Sequence, residues 1–169
     1  MNGMAFQALL RTIADLNDSH HTLLELADLK KDVLIHDQVA KLTEIVTKEN
    51  KLIKQIGIQN QERLEAVGNF LIEKGYKPNP KVTISDLTKI IFNIEDKKAL
   101  MDSQRQLKET IHQLRQKNAV NQQLIEQSLI FIDYSLDLYI GPPDDEAVYH
   151  NPGQQLKGNK RPGVFDTRA

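Results

Sequence analysis

Residues 97–140 read KKALMDSQRQLKETIHQLRQKNAVNQQLIEQSLIFIDYSLDLYI and contain neither Pro nor Gly. Leu100, Leu107, Ile111, Leu114, Asn118, Asn121 and Ile125 recur at steps of three and four, with Gln104 as a polar step, so the stretch reads as one helix of about 65 Å. The seam then moves to Leu129, Ile132, Leu136 and Tyr139 through two successive steps of four around Ile125, a stutter that locally unwinds a left-handed supercoil. Leu124, Phe131 and Leu138 form a second stripe seven residues apart, with Ser128 and Ser135 between the stripes. That is more apolar surface than a two-helix contact covers. Charge is divided along the same helix: Lys97, Lys98, Arg105, Lys108, Arg115 and Lys117 stand beside only Asp102 and Glu109, and from Asn118 to Ile140 there is no Lys or Arg.

Upstream, Phe6, Leu9, Ile13, Leu16, His20, Leu23, Ala27, Lys30 and Leu34 keep the heptad spacing to about Ile35. A break at His36-Asp37, with Asp37 as N-cap, opens a second helix running to about Lys74. Its seam reads Val39, Leu42, Val46, Glu49, Ile53, Ile56, Asn60, Leu64, Val67 and Leu71. Gly75 is the expected residue after its end, and Pro78 and Pro80 forbid continuation. So short a break predicts an antiparallel hairpin. Thr83 or Ser85 then caps a short helix carrying Leu87, Ile90, Ile91 and Ile94. Four of the six prolines and four of the eight glycines fall between Gly141 and Ala169, and that tail has no apolar period and reads as disordered. The expected fold is all-α: an elongated, coiled-coil-like bundle of a hairpin, a short helix and a long C-terminal helix over 1–140, with a flexible tail over 141–169.

The chain of 169 residues suits one domain with an appendage. It has no Cys, which excludes disulfides, thiolate metal sites and a Cys nucleophile and fits a reducing compartment. No signal-like opening and no long uncharged apolar window is present, so a cytoplasmic protein is the default. A net charge of −1, from 22 Lys+Arg against 23 Asp+Glu, argues against general nucleic-acid binding. Phosphate-binding, hydrolase and H-E-x-x-H motifs are missing. Glu109-x-x-His112 and Asp18-x-x-His21 imitate a carboxylate-bundle metal motif, but in the seam register all four point outward, whereas such sites need converging ligands. His20 reads as a half-buried seam histidine and His36 as part of the turn. No cofactor, metal or catalytic residue is expected.

The overloaded segment has three readings: its extra stripe packs on the short helix near Ile90 and Ile94, on a second copy in a homodimer of the free protein, or on an amphipathic helix of a partner. Asn118 and Asn121 at seam positions fix register, or bond a partner's backbone.

The order of these parts resembles the FlgN family of flagellar export chaperones. The stretch that carries the resemblance is Leu114-Arg115-Gln116-Lys117-Asn118-Ala119-Val120-Asn121-Gln122-Gln123-Leu124, an Asn-x-x-Asn-x-x-Leu run entering Leu129–Ile140. It is supported by Lys48-Glu49-Asn50-Lys51-Leu52-Ile53, by Tyr149 followed by Gly153, and by the ending Phe165-Asp166-Thr167-Arg168-Ala169. The resemblance implies a cytoplasmic, non-enzymatic protein that holds the two hook-filament junction proteins unassembled by their C-terminal amphipathic helices and brings them to the flagellar type III export gate. It implies Leu124, Leu129, Phe131, Ile132, Leu136 and Leu138 as the substrate-facing set, with Asn118 and Asn121 at its edge. Tyr149 is the implied anchor on the export-gate protein, though Val148 and His150 flank it where the family often has Gly after the Tyr. The competing reading is a structural coiled-coil protein that self-associates through its C-terminal helix.

Overall fold

The computed structural model describes residues 3–140, and every regular element among them is helical: α1 (Met4–Ile35), α2 (Val39–Glu73), α3 (Ile84–Ile90) and α4 (Ile94–Ile140). The tail over 141–169, with Tyr149, lies outside the described residues. Two compact units divide the chain, Met1–Leu124 and Ile125–Ala169.

Helices α1 and α2 form the expected antiparallel hairpin. Phe6 meets Phe70 with ring centroids 5.9 Å apart, Lys30 Nζ lies 3.1 Å from Glu49 Oε2, and the Ala5 N–H donates to Glu73 Oε2 at 3.2 Å. The last bond places a carboxylate on the first turn of α1, where the helix dipole favours it. The turn differs from expectation. Asp37 does not cap α2; it has φ 53° and terminates α1, while the Gln38 N–H reaches back to Val33 O at 3.1 Å. This is the left-handed position after a helix that glycine fills most easily. Gln38 is the N-cap of α2 and makes no side-chain cap bond. Asp37→Gly should therefore raise stability by about 0.5–1 kcal/mol, read as a higher urea midpoint; a lower midpoint would show that the Asp37 side chain contributes more than its backbone costs.

The other ends follow the sequence more closely. Gly75 has φ 84°, with its N–H on Ile72 O at 3.0 Å and the Tyr76 N–H on Leu71 O at 2.8 Å, the paired bonds of a Schellman end. Of the two candidates for the α3 cap, Thr83 is used: its hydroxyl accepts from the Asp86 N–H at 3.1 Å, and its own N–H donates to Asp86 Oδ2 at 3.0 Å. The Thr83 N–H and hydroxyl, and then Lys89, hold the Asp86 carboxyl below its ordinary range. Asn93 Oδ1 accepts from the N–H groups of Glu95 at 2.9 Å and Asp96 at 3.2 Å, so α4 starts three residues before the expected Lys97. Ile94 thus belongs to α4, not to the short helix, and is 81% exposed.

A seven-residue helix does not persist on its own. Packing keeps α3 in place, since Ile84, Leu87 and Ile91 join Phe6, Leu9, Ile13, Ala66, Val67, Phe70, Leu71 and Leu100 in the main core. A second cluster of Leu26, Val33 and Ile45 holds the hairpin near its turn.

Which columns of α2 and α4 face inward departs in places from the expected seams. On α2 the buried and half-buried positions run Leu42, Ile45, Glu49, Leu52, Ile56, Gln59, Arg63, Leu64, Ala66, Val67, Gly68, Phe70 and Leu71, so Leu42, Glu49, Ile56, Leu64, Val67 and Leu71 lie inward as expected. Val46, Ile53 and Asn60, expected in the seam, are exposed. On α4 the expected positions Leu100, Gln104, Leu107, Ile111, Leu114, Asn121 and Ile125 are buried or half-buried, the neighbouring Ser103, Thr110, Lys117 and Leu124 are inward with them, and Asn118 is exposed. The expected seam therefore holds for much of both helices and the departures are local: Ile45, Leu52 and Gln59 lie inward in place of Val46, Ile53 and Asn60, and Lys117 in place of Asn118.

Candidate partner-binding surfaces

The C-terminal part of α4 is rich in uncovered apolar side chains. Phe131 is 69% and Leu138 67% exposed; Leu136 is exposed too, while Leu124 and Leu129 are half-buried. The side chain of Ile132 and all of Tyr149 lie outside the described residues. Ile130 and Tyr134, outside both expected stripes, are also exposed. With Phe131 and Leu138 they follow i, i+1, i+4 and i+8, which is one helix face. Glu126, Asp133 and Asp137 give the segment its charge.

The two asparagines separate. Asn118 is exposed, whereas Asn121 is buried and its Nδ2 donates to Ala27 O of α1 at 2.9 Å, leaving Oδ1 without a partner among the described residues. The Asn121 side chain is thus committed to the fold and sets the height of α4 on α1. Thr110 and Lys117 share that role: the Thr110 hydroxyl donates to Asn17 Oδ1 at 2.9 Å, and Lys117 Nζ lies 2.6 Å from Asp28 Oδ1. The contact of α1 with α4 is therefore threaded by polar residues, which specify position at some cost in stability.

A groove unforeseen in the sequence lies beside these columns. Ile13 and Leu16 of α1 floor a cleft of about 530 Å³, with Ile53, Ile56 and Gly57 of α2 and Leu107 and Ile111 of α4 also lining it. Ile84, the first residue of α3, lines it as well, and the polar members include His20, Arg63 and Lys108. Ile53 is 58% exposed. His20 is half-buried as expected, with Nδ1 against Leu16 O at 2.7 Å. Gly57 was the available signal: a glycine inside a helix costs roughly 1 kcal/mol against alanine, and among the described residues a Cβ built there meets nothing within 4 Å.

Glu109, His112, Asp18 and His21 are exposed, and no group of three His, Asp or Glu placed to hold a metal ion occurs among the described residues. No described helix is long and apolar enough to cross a membrane. Two apolar faces on helices are a means of binding other helices.

The family model described as FlgN protein matches residues 1–157. This chain belongs to the FlgN family. FlgN proteins are flagellar export chaperones, not a family of enzymes. Across nearly its whole length the chain is also similar to a Bacillus subtilis (strain 168) protein described as "Uncharacterized protein YvyG", 25% identical over 166 residues that cover 98% of this chain and 100% of the relative. No solved structure matches. Membership covers α1 to α4, so the helices bearing both apolar surfaces are inside the family match.

Proposed function

We propose that this FlgN-family chain is a cytoplasmic export chaperone for the two hook-filament junction proteins, binding their C-terminal amphipathic helices on the final stretch of α4 and releasing them at the export gate. The observation that carries the reading is the exposed apolar face of that stretch. Phe131 and Leu138, with Leu124, Leu129, Ile132 and Leu136, are the proposed substrate-facing set, and Ile130 and Tyr134 join them because they too are exposed. Asn118 lies at the edge; Asn121 supports it from within. Covering a partner's sticky helix with a like face blocks both premature assembly and aggregation. In this reading residues 1–140 form the chaperone domain and 141–169 the tether to the gate.

Size-exclusion chromatography of the purified chain with a junction-protein C-terminal helix tests the substrate claim. Co-elution supports it, and a chain that stays apart from both junction helices sinks it. For the tail, Tyr149→Ala should leave substrate affinity unchanged and weaken export-gate binding by about ten-fold or more, as loss of a lone aromatic anchor does. Gate affinity equal to wild type in a calorimetric titration would remove Tyr149 from that role.

A further inference from the structure

The groove floored by Ile13 and Leu16 continues the main core, and Ile13 and Ile84 belong to both. Within the core, α3 lays Ile84, Leu87 and Ile91 on residues of α1, α2 and α4 and so serves as a fourth helix, but for seven residues only. Where α3 leaves off, the three long helices run on and the groove opens between them. Its two walls are helical rows. On α2, Ile53, Ile56, Gly57 and Asn60 are spaced by three, one and three, and on α4, Gln104, Leu107, Lys108 and Ile111 repeat that spacing. At 1.5 Å per residue each row runs for roughly 10 Å, about two turns. Two such rows above an apolar floor form the seat of one more helix.

The walls also decide what that helix carries. Arg63 on α2 and Lys108 on α4 both line the groove, His20 lines it from α1, and no Asp or Glu does among the described residues. Neither Arg63 nor Lys108 makes an ion pair among those residues. Arg63 is held along its wall by Asn60, whose Oδ1 accepts from Nε at 3.1 Å and from Nη2 at 3.0 Å. The guanidinium keeps further donors for another acceptor. Between the cations, no described residue comes within 4 Å of a Cβ built at Gly57, and a missing side chain on a groove wall lets a partner backbone approach closely. We propose that this groove seats an amphipathic helix of a partner protein, with apolar residues at its a and d positions on the isoleucines and Asp or Glu at the flanking e and g positions, facing Arg63 on one wall and Lys108 on the other. A helix with Lys or Arg at those margins meets like charge on both sides, so the groove selects by charge as well as by shape. The whole groove lies within Met1–Leu124 and shares no residue with the α4 face proposed for the junction helices. It is a second site, and it stands whether or not that face takes those helices.

Fluorescence anisotropy tests this with two labelled synthetic three-heptad helices, both with Leu and Ile at a and d, one with Glu and the other with Lys at every e and g. The protein is the full chain carrying Phe131→Asp, so that the α4 face does not compete. The Glu helix should bind one-to-one and about ten-fold or more tighter than the Lys helix. Adding Arg63→Glu with Lys108→Glu should invert that order. Adding Gly57→Trp, which fills the groove, should abolish binding of the Glu helix with helicity unchanged by circular dichroism. Equal affinity for the two helices overturns the proposal. So does a charge-reversed chain that still prefers the Glu helix, or a folded Gly57→Trp chain that binds it undiminished. A wild type that sediments as a dimer and becomes monomeric with Gly57→Trp also overturns it, since the groove would then belong to a second copy. Should Gly57→Trp lose helicity, the charge reversal decides. Binding of a junction helix to the wild type reads the export role separately, and its failure would leave each of these outcomes as stated.

Discussion

Phe131→Asp should weaken binding of a junction-protein C-terminal helix by about 100-fold or more while leaving helicity near wild type. In the free chain Phe131 is 69% exposed, so removing its ring takes little away from the fold. Phe and Asp also have similar helix propensities, and α4 is not weakened by the exchange itself. The complex loses more. Burying a Phe contributes roughly 1.5–3 kcal/mol, and a carboxylate facing an apolar partner must also be desolvated. Phe131→Leu keeps most of the apolar area and should bind within about ten-fold of wild type. Fluorescence titration of a labelled helix peptide, paired with circular dichroism, separates the outcomes. A collapse of helicity would make Phe131 a core residue, and wild-type affinity with intact helicity would move the grip away from this face.

The fold was legible where one physical signal was unopposed. Gly75 and the Thr83–Asp86 box mark their helix ends because their chemistry is local. The first half of α1 was legible because Phe6, Leu9, Ile13 and Leu16 form one unambiguous column, and all four are buried. The local changes of column in α2 and α4 were not legible for the opposite reason. Ile45 and Val46, Leu52 and Ile53, Thr110 and Ile111 are adjacent positions with comparable claims on the seam, and periodicity cannot choose between neighbouring columns. Contacts distant in sequence settle it: Lys30 with Glu49 and Ala27 O with Asn121 hold the expected seam, whereas Asn17 draws Thr110 inward beside Ile111. Polar residues were placed inward to satisfy one another, and the isoleucines beside them were left facing the groove. The exposed stretch of α4 was readable as an excess of apolar faces, but Ile130 and Tyr134 entered it only once exposure was known. The groove depends on four helices at once, and only Gly57 hinted at it.

Phe70→Ala should cost about 3–5 kcal/mol, the largest stability loss expected of a single substitution in this chain. Phe70 is 1% exposed, stacks at a tilt on Phe6, and has Lys74 Nζ 5.7 Å from its ring centre. It sits in the cluster where residues of α1, α2, α3 and the start of α4 meet, so no single helix can shift to close the cavity. Small domains have only about 5–15 kcal/mol in total, and this one change removes a large share. The effect should reach α3 first, because Ile84, Leu87 and Ile91 hold that seven-residue helix to the same cluster. Limited proteolysis should therefore cut between Tyr76 and Asn93 in Phe70→Ala under conditions where the wild type is spared. Val46→Ala, on the exposed column of α2, serves as the control and should cost less than about 0.5 kcal/mol. Urea unfolding of the two variants measures the difference. A Phe70→Ala cost below about 1 kcal/mol would mean that the four elements are not locked together at this cluster, and that α3 is kept in place by its Thr83 cap and loop instead of by the core.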